Sequence, residues 1–336
     1  MRTLVTGNLP EEVLGLIRRE HEVKVHPENR PLERDRLLEM VRDKEGLLCM
    51  ITDRVDEELL EAGSKLQMIA NFGVGFDNID VAAASRRNIP VSNTPGVLTD
   101  ATADLTFALI LAVARRMLEG DRIARAGAFR FWAPMHFLGH EVSGKTLGIV
   151  GLGRIGKALA RRARGFDMKV LYHNRRRLSE EEERSLGVSY GDFVTVLSRA
   201  DFVSLHVPLT PDTHHLMGQK ELAIMRPSAY LINTSRGPVV EEQALLEALK
   251  EGVIAGAGLD VYEKEPDLTP GLEELDNVVL LPHIGSATIE TRTKMGLTAA
   301  KNLLAGLRGG KPPDCLNWQS IQVAMAGQKA PPKDKA

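Results

Sequence analysis

The residues with the plainest capacity for chemistry lie in "VGLGRIGKAL", Val150 to Leu159. Gly151, Gly153 and Gly156 stand at GxGxxG spacing between a strand-like run, "TLGIV", and a helix-like run, "KALARRARG". In that setting the first glycine permits a tight turn, the second lets the backbone approach a pyrophosphate, and the third lets helix pack on strand. The N-terminus of the helix adds unpaired N–H groups and the positive end of its dipole, both suited to phosphate oxygens. Gly151, Leu152, Gly153, Arg154 and Ile155 are therefore the candidate residues for a dinucleotide's phosphates. Stripped of its flanks, the pattern would be no more than a glycine-rich turn in an α/β core.

About twenty residues on, the next strand-like run ends "VLYHNRRR", Val170 to Arg177. A carboxylate here would accept hydrogen bonds from the ribose hydroxyls of NAD. The chain instead has Asn174, Arg175, Arg176 and Arg177, with no acid before Glu180. A carboxylate would repel a 2′-phosphate, whereas arginine grips it with paired, charge-assisted hydrogen bonds. The expected cofactor is NADP(H), held there by Asn174, Arg175 and Arg176, with NAD as a weaker alternative. A solvated basic loop is the other way to read the same residues.

Three later strand ends each deliver a polar group of a kind used in anion binding or proton transfer. "INTSRGPVV" carries Arg236, "GLDVYEKEP" carries Asp260 and Glu265, and "LLPHIGSAT" carries His283. In an open α/β sheet the carboxyl ends of the strands face the ligand crevice. Taken singly, each has an ordinary structural explanation. The histidine could be packed, Glu265 could sit on a wet loop beside Glu263 and Lys264, and Arg236 could cap its strand.

The elements that must position these groups form two series. "TLVTG", "HEVKVH", "GLLCMIT" and "LQMIANFG" alternate with amphipathic runs through the first hundred residues, the pattern of a parallel sheet covered by helices. A second alternating series begins at Lys145 with "KTLGIVG" and continues through "MKVLYHN", "DFVSLHVP", "SAYLINTS", "IAGAGLDVY" and "NVVLLPHIG". Between the series, Leu98 to Gly127 reads as one long helix with a Thr99 or Asp100 cap, and one more amphipathic helix follows His283. The expected fold is therefore two Rossmann-like, doubly wound parallel-sheet domains with an active-site cleft between them. Residues 1–98 plus 288–320 would be the substrate-binding domain and 99–287 the nucleotide-binding domain. Residues 321–336, within a stretch rich in Gln, Pro, Lys and Ala, are expected to be disordered.

The totals bound the function classes. The 336 residues are 43% hydrophobic and 26% charged with a net charge of -2. That balance gives no electrostatic reason to expect nucleic acid or an anionic membrane surface. No apolar run reaches the roughly 18 residues that a bilayer span needs, and no signal-peptide pattern opens the chain. Cys49 and Cys315 are far apart with no CxxC, so neither a disulfide framework nor a zinc site is expected. The expectation is a cytoplasmic protein without a metal.

Seven motifs in order, "NFGVGFDNID", "TPGVLTDATAD", "GKTLGIVGLGRIG", "HVPLTPDTHHLM", "INTSRGPVV", "GLDVYEKEP" and "PHIGSAT", carry a resemblance to a known family, from about Thr3 to Leu316. The chain resembles the D-isomer-specific 2-hydroxyacid dehydrogenases, and "YHNRRR" and "PHIGSAT" are most similar to NADPH-using glyoxylate/hydroxypyruvate and 2-ketogluconate reductases. The resemblance implies a catalytic trio of Arg236, Glu265 and His283. Arg236 would bind the substrate carboxylate and polarise its carbonyl. His283 would give a proton to the carbonyl oxygen as hydride arrives, with Glu265 orienting the imidazole.

It further implies that the N–H groups of Val74 and Gly75 receive the substrate carboxylate, a place where glycine lets the backbone come close. Thr102, Pro208, Thr213, Thr234 and Asp260 would line the cofactor, with Asp260 at the nicotinamide amide. Asp104 stands where relatives often carry Glu. Phe131, Trp132 and Phe137 form an aromatic cluster that needs covering, and similar reductases use this loop across a homodimer. Within the family, 2-ketogluconate, 3-phosphoglycerate and phosphite remain alternative substrates, and a dinucleotide-sensing corepressor-like protein is the alternative of another class.

Overall fold

The computed structural model describes residues 1–322. The described residues form two compact units, Met1–Leu98 with 288–322, and Thr99–Ala287.

In the first unit five strands form one parallel sheet: β1 (Arg2–Val5), β2 (Glu22–Val25), β3 (Gly46–Met50), β4 (Met68–Phe72) and β5 (Val91–Ser92). Their order is β2-β1-β3-β4-β5. β3 and β4 are buried along nearly their whole length, as strands covered on both faces must be, whereas the edge strand β2 alternates. The two-residue β5 was too short to show as a pattern. Asp56 and Asp80 cap the helices Glu57–Ala62 and Val81–Arg86 by accepting from Leu59 and Ala83 N–H. Helix Ile289–Leu307 closes the unit. Thr288 caps it, and a Cβ on Gly306 would lie 2.4 Å from the Met68 sulfur, so any larger residue there would force the Met68 side chain to shift.

The second unit holds a seven-stranded parallel sheet: β6 (Thr146–Val150), β7 (Lys169–His173), β8 (Val188–Tyr190), β9 (Phe202–Leu205), β10 (Tyr230–Asn233), β11 (Gly256–Leu259) and β12 (Val278–Leu280). The order β12-β11-β10-β9-β6-β7-β8 means the chain winds outward from β6 to β8, then restarts beside β6 with β9. That reversal is the switch point at which doubly wound sheets bind ligands. The three-residue β8 is the strand that the sequence pattern did not reveal.

The stretch from Leu98 to Gly127 is not one helix. It forms Thr99–Ala114 and Met117–Arg125, separated by Arg116 in the left-handed region at φ 52°. Arg116 is held there by Glu119, by the Leu138 carbonyl and by its guanidinium lying 4.3 Å from the Phe137 ring centroid. No Gly or Pro marks the break, so periodicity ran straight through it. Likewise Ile321 is buried in a helical turn that includes Gln322, which corrects the first two residues of the expected disordered tail. The remainder of that tail, 323–336, lies outside the described residues.

Candidate active site

In the second unit, all the sequence-selected residues except Thr102 follow the carboxyl end of a strand. At the end of β6, Gly151 has φ 97°, and a Cβ there would lie 2.6 Å from the His206 carbonyl oxygen beyond β9. A Cβ on Gly156 would lie 2.6 Å from the Gly151 carbonyl oxygen. Both glycines are thus required by packing alone. Gly153 differs: a Cβ there would project into open space. It precedes helix Arg154–Arg164, whose first N–H groups have no partner inside the helix. The Leu152 N–H donates to Asn174 Oδ1 at 2.6 Å, tying the turn to the end of β7. Beside it, loss of water around the His206 imidazole lowers its pKa to about 4, keeping it neutral, and its Nε2 pairs with Ser204 Oγ at 2.9 Å.

The three arginines after β7 separate into two kinds. Arg177 makes two hydrogen bonds of 2.8 Å to the Glu183 carboxylate, which also accepts from Tyr172 Oη at 2.7 Å. The Arg177 and Tyr172 hydrogen bonds hold Glu183 down at a pKa of about 2, while burial and then Glu183 push Tyr172 up to about 12. Arg175 and Arg176 are exposed and make no ion pair among the described residues. The triad fixes the base of the loop and leaves the two remaining guanidinium groups in solvent.

This triad should be visible in acid. Because the folded pKa of Glu183 lies below the ordinary carboxylate value, its stabilisation is complete above about 4.5 and disappears as the pH falls toward about 2. Glu183→Gln should flatten that part of the stability curve, measured by denaturant unfolding at stepped pH. An unaltered acid limb would remove the triad as its cause.

His283, beyond β12, is held at φ 54°, and its Nδ1 lies 2.7 Å from Glu265 Oε2. Asp260, at the end of β11, explains the unusual backbone. Its two carboxylate oxygens accept from Ile284 and Gly285 N–H, each at 2.7 Å, so the residues after His283 cannot swing away. Burial raises the pKa of Asp260, against the lowering effect of those two N–H groups and of His283. For Glu265, burial pushes upward, but the hydrogen bond and charge of His283, the Tyr262 N–H and the charge of Arg236 together hold it below the ordinary carboxylate range. The other Glu265 oxygen accepts from Tyr262 N–H at 3.1 Å.

Arg236 follows β10 in extended backbone, with its carbonyl accepting from Asn233 Nδ2 at 2.9 Å and its Nη1 donating to the Ser235 carbonyl at 2.8 Å. Gly237 crosses the Glu265 loop so closely that a Cβ would lie 1.7 Å from the Tyr262 carbonyl oxygen. Thr102 and Thr234 meet through Thr106, which donates to the Thr102 carbonyl at 2.7 Å and pairs with Thr234 Oγ1 at 2.8 Å. Thr213 Oγ1 donates to the Pro208 carbonyl at 2.6 Å.

Sequence reasoning missed the residues that brace the Glu265 loop. The buried Glu242 accepts from Glu263 N–H at 2.5 Å and from Thr269 Oγ1 at 2.7 Å. Glu263 in return accepts from Glu242 N–H at 3.1 Å and pairs with His215 Nε2 at 2.8 Å. These contacts span 21 to 48 residues, and nothing local announces them.

In the first unit, Val74 and Gly75 follow β4. The Val74 carbonyl accepts from Asn93 Nδ2 and the Gly75 carbonyl from Asn71 Nδ2, each at 2.7 Å. The N–H groups of Val74 and Gly75 donate to no protein group among the described residues.

Such a sheet, with a glycine turn at its switch point and an imidazole–carboxylate pair at a later strand end, defines a dinucleotide-dependent oxidoreductase. Residues 107–285 match the family model described as D-isomer specific 2-hydroxyacid dehydrogenase, NAD binding domain. The glyoxylate reductase of Thermococcus litoralis is 52% identical over 320 residues, covering 94% of this chain and 96% of the relative. That of Pyrococcus furiosus is 48% identical, covering 97% and 98%. The solved NADPH-dependent glyoxylate/hydroxypyruvate reductase of Sinorhizobium meliloti, in complex with NADP and malonate, superposes with a TM-score of 0.82 at 33% identity, covering 95% of this chain and 97% of that one. The chain belongs to the D-isomer specific 2-hydroxyacid dehydrogenase family, and it is an oxidoreductase acting on CH–OH groups. Among the described residues, no helix is long and apolar enough to cross a membrane, and no group of three or more His, Cys, Asp or Glu could hold a metal ion.

Proposed function

We propose that this enzyme reduces glyoxylate, and hydroxypyruvate by the same chemistry, to the D-2-hydroxy acid, with NADPH preferred over NADH. The observation that carries the reading is the His283–Glu265 pair at 2.7 Å, in a chain that matches relatives named glyoxylate reductase over nearly its full length. The cofactor unit is Thr99–Ala287, and the loop at Val74 and Gly75 of the first unit takes the substrate carboxylate.

The residues fit a dinucleotide. The open space beside Gly153 admits a close phosphate, and the helix beginning at Arg154 offers its free N–H groups and the N–H of Ile155. Asn174 is committed to the turn, which leaves Arg175 and Arg176 for the 2′-phosphate. Thr102, Pro208, Thr213, Thr234 and Asp260 complete the lining. When bound, the nicotinamide supplies the hydride that reduces the substrate's C2. Arg236 holds the substrate carboxylate and draws electron density from the carbonyl oxygen. His283 Nε2 delivers the proton to that oxygen, while Glu265 keeps Nδ1 protonated and the ring oriented. In oxidation the same nitrogen takes the proton back.

The apolar side chains of Phe129, Phe131, Trp132, Met135 and Leu138, all in one segment of the chain, are exposed, as apolar residues that subunits cover are in a lone chain, which supports a homodimer. Phe137 is instead covered by Arg116. Sedimentation that shows only monomer at micromolar concentration would remove that assignment. Two free cysteines, Cys49 and Cys315, suit a reducing cytoplasm.

The deciding experiment follows NADPH absorbance with a panel of 2-keto acids, run beside NADH. Glyoxylate and hydroxypyruvate should be consumed fastest. Tight NADPH binding with no turnover of any keto acid would assign the chain to dinucleotide sensing instead.

A further inference from the structure

We infer that Asn71 and Asn93 are positioning residues that set the polarity of the loop after β4, making it a receptor for a carboxylate rather than for a neutral group; this rests on the substrate reading proposed above. Three successive carbonyls are pinned. Gly73 O accepts from Thr94 N–H at 2.9 Å, Val74 O from Asn93 Nδ2 and Gly75 O from Asn71 Nδ2, both at 2.7 Å. In a trans peptide the C=O and the following N–H point in opposite directions. Pinning those carbonyls therefore turns the Val74 N–H away from Thr94, the Gly75 N–H away from Asn93 and the Phe76 N–H away from Asn71. None of the three donates to a protein group among the described residues. Consecutive N–H groups presented in this way form an anion-binding concavity. The arrangement adds Phe76 as a third donor to the two assigned from the sequence.

The asparagines are themselves held so that their amide nitrogens face the loop. Asn71 is fully buried, and its Oδ1 accepts from Asn78 Nδ2 at 3.4 Å, leaving Nδ2 for Gly75. Asn93 is 7% exposed, and its carbonyl accepts from Asn302 Nδ2 on the C-terminal helix at 3.4 Å. Without either amide the corresponding peptide plane is free to rotate and turn a carbonyl toward the substrate anion.

The test is Asn93→Ala, with Asn71→Leu as a second, near-isosteric variant; thermal melting selects those that fold. The KM for glyoxylate should rise roughly 10- to 100-fold, the range for losing hydrogen bonds to a charged group. The inhibition constant of oxamate, an unreactive carboxylate, should rise in step. Saturating kcat, the KM for NADPH, and kcat/KM for the neutral ester methyl glyoxylate should stay within about threefold. An unchanged glyoxylate KM, or equal losses for ester and acid, would overturn the inference. Backbone amide spectra separate this from the parent reading. If the Val74 and Gly75 signals of the unaltered enzyme ignore oxamate, the substrate loop itself is misassigned. If the Gly75 and Phe76 signals shift equally with and without the asparagines, only the positioning role fails.

Discussion

His283→Ala should lower kcat for glyoxylate reduction by on the order of 10³- to 10⁴-fold, while the Kd for NADPH should stay within about twofold. In the proposed reaction, deleting the side chain removes the acid that protonates the carbonyl oxygen, so the negative charge developing there as hydride reaches C2 goes unneutralised. The loss should be confined to chemistry because, among the described residues, the imidazole hydrogen-bonds to Glu265 alone. The backbone around it is fixed by Asp260, through the Ile284 and Gly285 N–H groups, and survives the substitution. Added imidazole should restore part of the rate, since it can occupy the vacated space and donate a proton. Single-turnover kinetics with fluorescence titration of NADPH checks both halves. Unchanged turnover would remove His283 from proton transfer, and a parallel loss of cofactor binding would mean a structural role instead.

The same contrast between backbone and side chain explains what was legible in the sequence. Two alternating series announced two parallel sheets because strands buried on both faces read as apolar runs, and helices between them read at a different period. The glycine turn was legible because Gly151 and Gly156 answer to contacts with neighbouring backbone, which any chain making this turn must satisfy. β5 and β8 were not, since two or three residues carry no period. The break at Arg116 was invisible because a distant carbonyl and an aromatic ring stabilise it, not a local glycine. Asn71, inside the strand-like run "LQMIANFG", and Asn93 carried no signal of their own, and only folding brings their amides to two adjacent carbonyls. The run of arginines was legible as a charge but not as a division of labour. Arg177 differs from its neighbours by facing Glu183, which helix Glu180–Leu186 places six residues away, and by lying over the Tyr190 ring.

That division makes the second large effect specific. Arg175 and Arg176 changed together to alanine should weaken NADPH by roughly 10²- to 10⁴-fold, at about 1.5–3 kcal/mol for each of two charge-assisted bonds lost, and leave NADH within about threefold. Selectivity should collapse without loss of fold, because neither side chain is exchanged for a structural contact. Arg177→Ala gives the comparison. It leaves Glu183 without its strongest partner and Tyr172 with an altered one, so it should lower the melting temperature and weaken both cofactors alike. Arg175 and Arg176 are free to meet a 2′-phosphate from solvent, and their contribution should fall with ionic strength as exposed charge pairs do. Titration of the three proteins with NADPH and NADH at low and high salt decides it. Equal weakening of both cofactors in the double variant would sink the phosphate grip, and the preference would then have to come from Asn174 and the turn that it holds.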